Sequence, residues 1–249
     1  GRKGSIVAII KGTKSEIVME HLFKISRKLR LNVLEITLDM AGSMKLIAKR
    51  CFPNAVQVID RFHVQKLATE ALQEIRIGHR WEEIDLENEW IFENKLKDKP
   101  LPIEVFENGD TRKQLLARSR YLLYKSQEKW TESQQQRAQI LFENYPDIEK
   151  AYGLTNGLRQ IYNKRTVKDV AMLKLAHWFK DVENAGFKTF NTLVRTINQH
   201  YNDILNYFIN RSTNASAESF NAKIKNFRMQ LRGVTDRKFF LFRLTQIFA

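Results

Sequence analysis

An α/β sheet interrupted by a large all-helical insertion is the fold this sequence predicts, and three observations predict it. Over roughly the first 80 residues, short β-rich apolar runs alternate with helical ones, the pattern of strand–helix–strand units. Between about 81 and 210 no stretch alternates at period two, and apolar residues recur every three or four positions. The last segment then supplies a strongly amphipathic helix whose polar side is cationic. The implied organisation is a first α/β part over 1–80, a helical insertion over 81–210, and a C-terminal helix region over 211–249 that rejoins the first part.

The elements follow in order. Ser5–Ile10 is a short apolar run bounded by Gly4 and by Lys11-Gly12, which reads as a strand. Ser15 to about Arg30 has helical spacing through Ile17, Val18, His21, Leu22, Ile25 and Leu29. Asn32–Leu38 reads as a strand that ends at Asp39, and Gly42–Cys51 as a helix stopped ahead of Pro53. Ala55–Ile59 is the next strand, with Asp60 after it, and a long helix from Phe62 is expected to reach about Ile77 or Arg80.

Within the helical block, Lys97–Glu104 carries Pro100 and Pro102 and reads as a loop. Thr111 opens a helix through about Tyr124, and Thr131-Glu-Ser-Gln134 has capping-box spacing for a helix that stops before Pro146. Thr166-Val-Lys-Asp169 can cap a helix ending near Gly186, and one further helix is expected over about Thr189–Ile209. In the last helix, from Ser216 to about Arg232, Phe220, Ile224, Phe227 and Leu231 form one apolar stripe. Glu218, Asn221, Lys225, Arg228 and Arg232 share another side, so one carboxylate is followed by amide, ammonium and guanidinium groups. A solvated basic face with an acidic first turn, favourable to the helix dipole, is the plain alternative for that side.

Composition narrows the function classes. The 249 residues hold 42 Lys and Arg against 28 Asp and Glu, a formal charge of +14. Such an excess favours a polyanionic partner, nucleic acid first. No apolar run approaches the ~20 residues that span a bilayer, and a lone cysteine, Cys51, excludes a disulfide framework. The expected setting is therefore cytoplasmic, without a membrane partner. No glycine-rich phosphate loop with a following Lys-Ser or Lys-Thr occurs, which disfavours an NTPase. The chain enters its apolar run almost at once and lacks an initiator Met, as though it begins inside a domain.

The chemistry-bearing residues are few. Asp39 and Asp60 each follow a strand, where open α/β sheets place their ligands. Phosphodiester cleavage with divalent ions needs several carboxylates from different elements, and Mg²⁺ takes hard oxygen ligands without Cys or His. Asp39, followed by Ala41, Gly42 and Ser43, and Glu218, at a helix start, are the candidate acids. Asp60 and His63 have the spacing of half a zinc site, but one cysteine and five scattered histidines leave no partner ligands. Asp60 as a helix cap and His63 as a packing residue stand beside a direct role for either. Cys51 reads as a buried apolar residue.

Two blocks of sequence resemble a known family. The first is Thr37-Leu-Asp39-Met, Phe52-Pro-Asn-Ala55 and Asp60-Arg-Phe-His63-Val-Gln-Lys66. The second is Ser212-Thr-Asn-Ala-Ser-Ala-Glu218-Ser-Phe-Asn221-Ala-Lys-Ile-Lys225, with Gly233 and Phe239-Phe-Leu-Phe-Arg243 beyond it. Both resemble bacterial insertion-sequence transposases of the ISL-three group, and the resemblance covers nearly the whole chain. It implies a DDE enzyme with an RNase H-like catalytic core, here incomplete, interrupted by a helical domain before the final Glu. It further implies DNA cleavage and strand transfer at the element's ends with Mg²⁺ or Mn²⁺.

By the same resemblance Asp39 is a catalytic and metal-binding Asp, Glu218 the final catalytic and metal-binding Glu, and Asp60 with His63 a supporting pair. Arg61, Lys66, Asn221, Lys223, Lys225, Arg228 and Arg232 would lie along DNA. The partners implied are terminal inverted repeats and target DNA, with room for a homodimer in the DNA complex, in a bacterial, nucleoid-associated setting. The family's first catalytic Asp has no counterpart between Gly1 and Leu34. The chain thus resembles a C-terminal part, also without the N-terminal DNA-binding region, and is expected to be catalytically crippled alone. A non-catalytic DNA-binding remnant is the alternative.

Overall fold

The computed structural model describes residues 6, 8–95, 102–233 and 235–248. In chain order its elements are α1 (Ser15–Phe23), α2 (Arg27–Leu31), β1 (Glu35–Leu38), α3 (Gly42–Cys51), β2 (Val56–Ile59) and α4 (Arg61–Asn94). There follow α5 (Arg112–Arg118), α6 (Glu132–Asn144), α7 (Pro146–Asn163), α8 (Lys168–Ala185), α9 (Lys188–Gln199), α10 (Tyr201–Asn210), α11 (Ala215–Gln230) and α12 (Arg237–Phe248). Helix dominates, and the described residues hold two short strands. The chain divides into an α/β unit, Gly1–Arg61 with Asn202–Ala249, and a helical unit, Phe62–Tyr201.

In the α/β unit β1 and β2 run parallel, from Glu35 opposite Val56 to Leu38 opposite Ile59. Helix α3 is the crossover that parallel strands require. Leu38, Val58 and Ile59 are buried at the strands' ends. Both strands start later than periodicity predicts. The N–H groups of Asn32 and Val33 bond Leu29 and Arg30 carbonyls and so close α2 instead of opening a ladder. The single helix predicted from Ser15 to Arg30 is two, because Ser26 takes an extended backbone (ψ 142°) at the start of α2.

Helix α3 has the predicted bounds and packs on α1 through Met19, Ile47 and Cys51. Cys51 is fully buried, and that burial raises its thiol above the usual range. Arg30 donates to the Cys51 carbonyl at 2.7 Å, placing a cation at the negative end of α3. Of the strand predicted over Ser5–Ile10, Ser5 and Val7 lie outside the described residues. Residues 8–10 are irregular, and the Ile6 N–H bonds the Phe248 carbonyl at the end of α12 (2.6 Å).

Helix α10 is latched to this unit by a polar row at i, i+3 and i+7. Asp203 pairs with Lys45 of α3 at 2.6 Å, Asn206 donates to the Gln57 carbonyl of β2 at 2.9 Å, and Asn210 donates to Glu35 of β1 at 2.9 Å. Ile204, Leu205, Tyr207 and Phe208 supply its buried side.

In the helical unit α4 continues to Asn94, well past the predicted end near 77–80. Gly78 weakens a helix without ending it, Glu-rich sequence follows, and no proline occurs between Pro53 and Pro100. Residue 80, the predicted domain boundary, therefore lies inside one continuous helix. Thr111 and Thr131 both form capping boxes, with Gln114 and Gln134. The helix after Thr111 nevertheless ends at Arg118, and Leu122–Tyr124 is a separate 3₁₀ turn. Pro146 starts α7 at a position that needs no N–H. Val167, not Thr166, precedes α8, without a side-chain cap, and Gly186 ends α8 in the left-handed conformation (φ +76°). The helix predicted over Thr189–Ile209 is broken at His200 (φ −114°, ψ 18°). Of the predicted loop 97–104, residues 97–101 lie outside the described residues and 102–104 are irregular.

Leu72, Leu115, Leu116, Leu141, Ile148 and Leu158 are among the fully buried residues of this unit. Two of its buried charged groups are satisfied within the unit. Asp110, fully buried, accepts from Arg118 and from Arg137 Nε at 2.7 Å. Burial alone would raise its carboxyl, but the two guanidiniums outweigh that and hold it below the ordinary range. Arg76 is buried as well and donates to the Leu116 carbonyl and to Gln73 Oε1, both at 2.7 Å.

Candidate functional site

Parallel pairing decides where the strand-end acids go. Leu38 and Ile59 are the last registered pair, and the Asp60 N–H donates to the Leu38 carbonyl at 3.1 Å. Asp39 and Asp60 are therefore the next residues of adjacent parallel strands, side by side at the carboxyl end of the sheet. Their surroundings differ. Asp39 is half-buried, and its Oδ1 accepts the Ala41 N–H at 2.9 Å. That bond turns the chain into α3, whose preceding residue, Ala41, has no capping side chain. Asp60 is 2 % exposed, and its Oδ2 accepts the Asn214 N–H at 2.7 Å.

The Asp60–Asn214 bond joins the end of β2 to the residue that precedes α11, 154 positions further along. The approach to it is unusual. Arg211 has φ +55°, a left-handed backbone in a residue other than glycine, and its N–H closes α10 onto the Tyr207 carbonyl at 2.7 Å. Two features thus set the start of α11: a left-handed residue after α10, and a buried carboxylate that receives the amide of Asn214. Glu218 sits in the first turn of α11, its N–H bonded to the Asn214 carbonyl at 2.9 Å, with its side chain exposed. Asp39, Asp60 and Glu218 all belong to the α/β unit.

The predicted wheel of α11 is reproduced. Phe220, Ile224, Phe227 and Leu231 are the partly buried positions from Phe220 onward, while Asn221, Lys225, Arg228 and Arg232 are exposed. The apolar stripe packs on α12, with Phe227 stacked on Phe240 at 5.8 Å and Phe220 edge-on to Phe248 at 5.6 Å. Lys223 is exposed too, but lies about 140° around the helix from Glu218. Neither Lys225, Arg228 nor Arg232 forms an ion pair among the described residues.

The remaining candidates lie on α4. Arg61 is its first residue, and Lys66 is exposed opposite Glu70 at 3.7 Å, an ordinary surface pair. His63 belongs to the helical unit, where its ring meets the edge of Phe62 at 5.7 Å and its Nδ1 is buried without a hydrogen-bond partner. Sequence reasoning missed Asn214 and Arg211. Asn at the residue before a helix was a legible signal, whereas nothing in the type of Arg211 announces its backbone angle.

Among the described residues no three His, Cys, Asp or Glu side chains come together as a metal site. The acids are individual carboxylates, two of them engaged by main-chain N–H groups, and they do not by themselves fit a formed metal centre.

Over residues 1–244 the chain matches the family described as "Transposase", the ISL-three group of DDE transposases. The chain belongs to this family, and with it to DNA transposition and recombination. No curated protein and no solved structure matches the chain. Among the described residues no helix is long and apolar enough to cross a membrane.

Proposed function

We propose that the chain provides the catalytic acids and a DNA-guiding helix of a transposase that cleaves the ends of its element and transfers them to target DNA. Asp39 and Glu218 are the acids at the reacting phosphodiester. Asp60 is a positioning residue that acts through Asn214. Asn221, Lys225, Arg228 and Arg232 run along the DNA backbone from Glu218, with Arg61, Lys66 and Lys223 as further phosphate contacts and His63 as a supporting residue. The β1–β2 pair and α11 are read as parts of an RNase H-like core, and the helical unit as its insertion.

The observation that carries this reading is the Asp60–Asn214 bond, which ties the acidic end of the sheet to the entry of the helix bearing Glu218 and the cationic row. Water attacks the phosphodiester at an element end and frees a 3′-hydroxyl, and that hydroxyl then attacks a target phosphodiester. Each step exchanges one P–O bond for another and needs no oxidant or nucleotide. DDE transposases draw on a divalent ion, Mg²⁺ or Mn²⁺, for charge stabilisation. A homodimer on paired ends, in the nucleoid of a bacterial cytoplasm, belongs to the same reading.

The test is cleavage and strand transfer on a terminal-repeat substrate by a transposase that carries this chain together with the family's first catalytic Asp, with DNA binding measured alongside. Asp39→Asn and Glu218→Gln should each lower cleavage by at least about 100-fold, the scale seen when one charge-stabilising group is removed from an active site. Binding should persist. Full activity in either variant removes that residue from the reaction, and binding without cleavage in the unmutated protein identifies a DNA-binding remnant instead.

A further inference from the structure

We propose that the cleft at the α11–α12 turn holds an unpaired nucleotide of single-stranded DNA, with phosphate on its arginines and the base on its apolar floor. The proposal rests on the DNA-processing reading above and deepens it. The cleft, about 700 Å³, is lined by Arg228, Arg232, Arg237, Leu231, Phe240 and Leu241, besides Gly233, Thr235 and Asp236. That volume lies within the range of small-ligand sites.

Three guanidiniums around one cleft repel one another, and none of the three is ion-paired among the described residues. The one carboxylate there, Asp236, accepts the Lys238 and Phe239 N–H groups at 2.8 and 3.2 Å and so caps α12. Three cations against one anion leave the cleft positive, and an anion is the ligand that relieves it. Gly233, beside Arg232, has φ +91°, a backbone that a side chain would strain.

The apolar half of the cleft chooses among anions. Phe240 is fixed by stacking on Phe227, so it presents a held ring rather than a mobile one. Outside the cleft, α12 exposes Phe239 (45 %) and Phe242 (58 %) among Lys238 and Arg243. Cations interleaved with exposed aromatic rings suit single strands, whose bases are free to stack on protein. A duplex offers phosphates but keeps its base faces stacked, so Phe240 and Leu231 would have nothing to take.

The experiment is fluorescence anisotropy of the full chain with a labelled 12-mer of thymidylate and with a labelled 12-base-pair duplex, across a salt series. Arg237→Gln is the main variant, because Arg237 is exposed and outside the row proposed to follow the DNA backbone from Glu218. It should weaken single-strand binding by about 5–10-fold, lower the single-strand salt slope by about 0.7, and change duplex binding less than twofold. Phe240→Leu keeps apolar volume and removes the ring, and should likewise act on the single strand alone. Equal losses on both probes would show a plain phosphate contact and overturn the proposal, as would no loss on either. If the unmutated chain binds neither probe, the DNA-processing reading fails first and the cleft proposal with it.

Discussion

In the helical unit, Asp110 is buried between Arg118 and Arg137, His79 lies between Glu82 and Asp147, and buried Arg76 is bonded to Gln73 and to a main-chain carbonyl. In the α/β unit, Lys225, Arg228, Arg232 and Arg237 face outward with no ion-pair partner among the described residues. The helical unit buries charges among partners of its own, whereas the α/β unit, besides its Lys45–Asp203 pair, leaves exposed cations on α11 and α12 for something outside the chain. The difference separates two uses of the same residue types. A paired, buried charge fixes packing, whereas an unpaired charge on a helix face is available to a ligand. A family that handles DNA has use for both.

The comparison breaks most visibly at Asp110. Asp110→Ala leaves two guanidiniums around a site with no anion and should destabilise the helical unit by about 3 kcal/mol, measured by urea denaturation. Half-exposed Arg118 keeps the effect at the lower end of what buried pairs show. The pH dependence has a definite sign. Because the folded carboxyl titrates below the ordinary value, its contribution is complete above about pH 4 and is lost as pH falls toward the lower folded value. Unmutated protein and Asp110→Ala should therefore converge in stability below about pH 4. A loss under about 0.5 kcal/mol at pH 7 would place Asp110 with ordinary surface pairs and erase the contrast.

Asp60 is the corresponding buried acid of the α/β unit, and a main-chain amide is among its partners. Asp60→Ala should cost about 2 kcal/mol for the unsatisfied Asn214 N–H and speed hydrogen exchange across residues 214–220. Asp60→Asn retains an acceptor and should recover much of both effects. Unchanged exchange in Asp60→Ala would separate β2 from the placement of α11.

What the sequence disclosed follows the reach of each signal. The stripe of α11, the two capping boxes and the bounds of α3 depend on neighbours within a turn or two, and all were legible. The break at His200 was not, because Leu193, Ile197, Ile204 and Phe208 keep helical phase across it. The row Asp203, Asn206 and Asn210 looks like a solvated face, and only its partners on α3, β2 and β1 reveal it as a latch. Helix α12 carries apolar residues nearly all round, with Leu244 inward and Phe242 outward, so it offers no clear amphipathic signal. Of the candidate site, the acids were readable from their positions after strands. Their connection was not, since it passes through a backbone N–H that side-chain patterns do not encode.

A smaller effect sharpens the helical side. Tyr145 donates to Glu83 at 2.9 Å, and burial, reinforced by that bond, pushes its hydroxyl up to about 12. Tyr145→Phe should cost about 1 kcal/mol. The neutral phenol is the favoured folded form, so its contribution is complete below pH 10 and declines as pH rises from 10 toward 12. Thermal melts of the two proteins at pH 8 and 11 should show the gap narrowing; a gap that widens would reverse the assignment.

The smallest effect falls at Arg211, where the two uses of charge meet. Its left-handed backbone costs about 1 kcal/mol relative to glycine, while its guanidinium lies 5.3 Å from the centre of the Tyr207 ring, worth about 0.5–1 kcal/mol when exposed. Arg211→Gly removes both and adds freedom to the unfolded chain, so stability should move by less than about 0.5 kcal/mol. Arg211→Ala keeps the strain and loses the ring contact, and should be the less stable of the two by denaturant melts. The pair distinguishes a turn tolerated for packing from one held for placement. If the geometry of this turn aims α11 at DNA, Arg211→Gly should fold as well as the unmutated protein yet bind DNA more weakly, with the same salt slope as before. Because no phosphate contact is removed, an altered slope would instead make Arg211 itself one of the cations that meet the backbone.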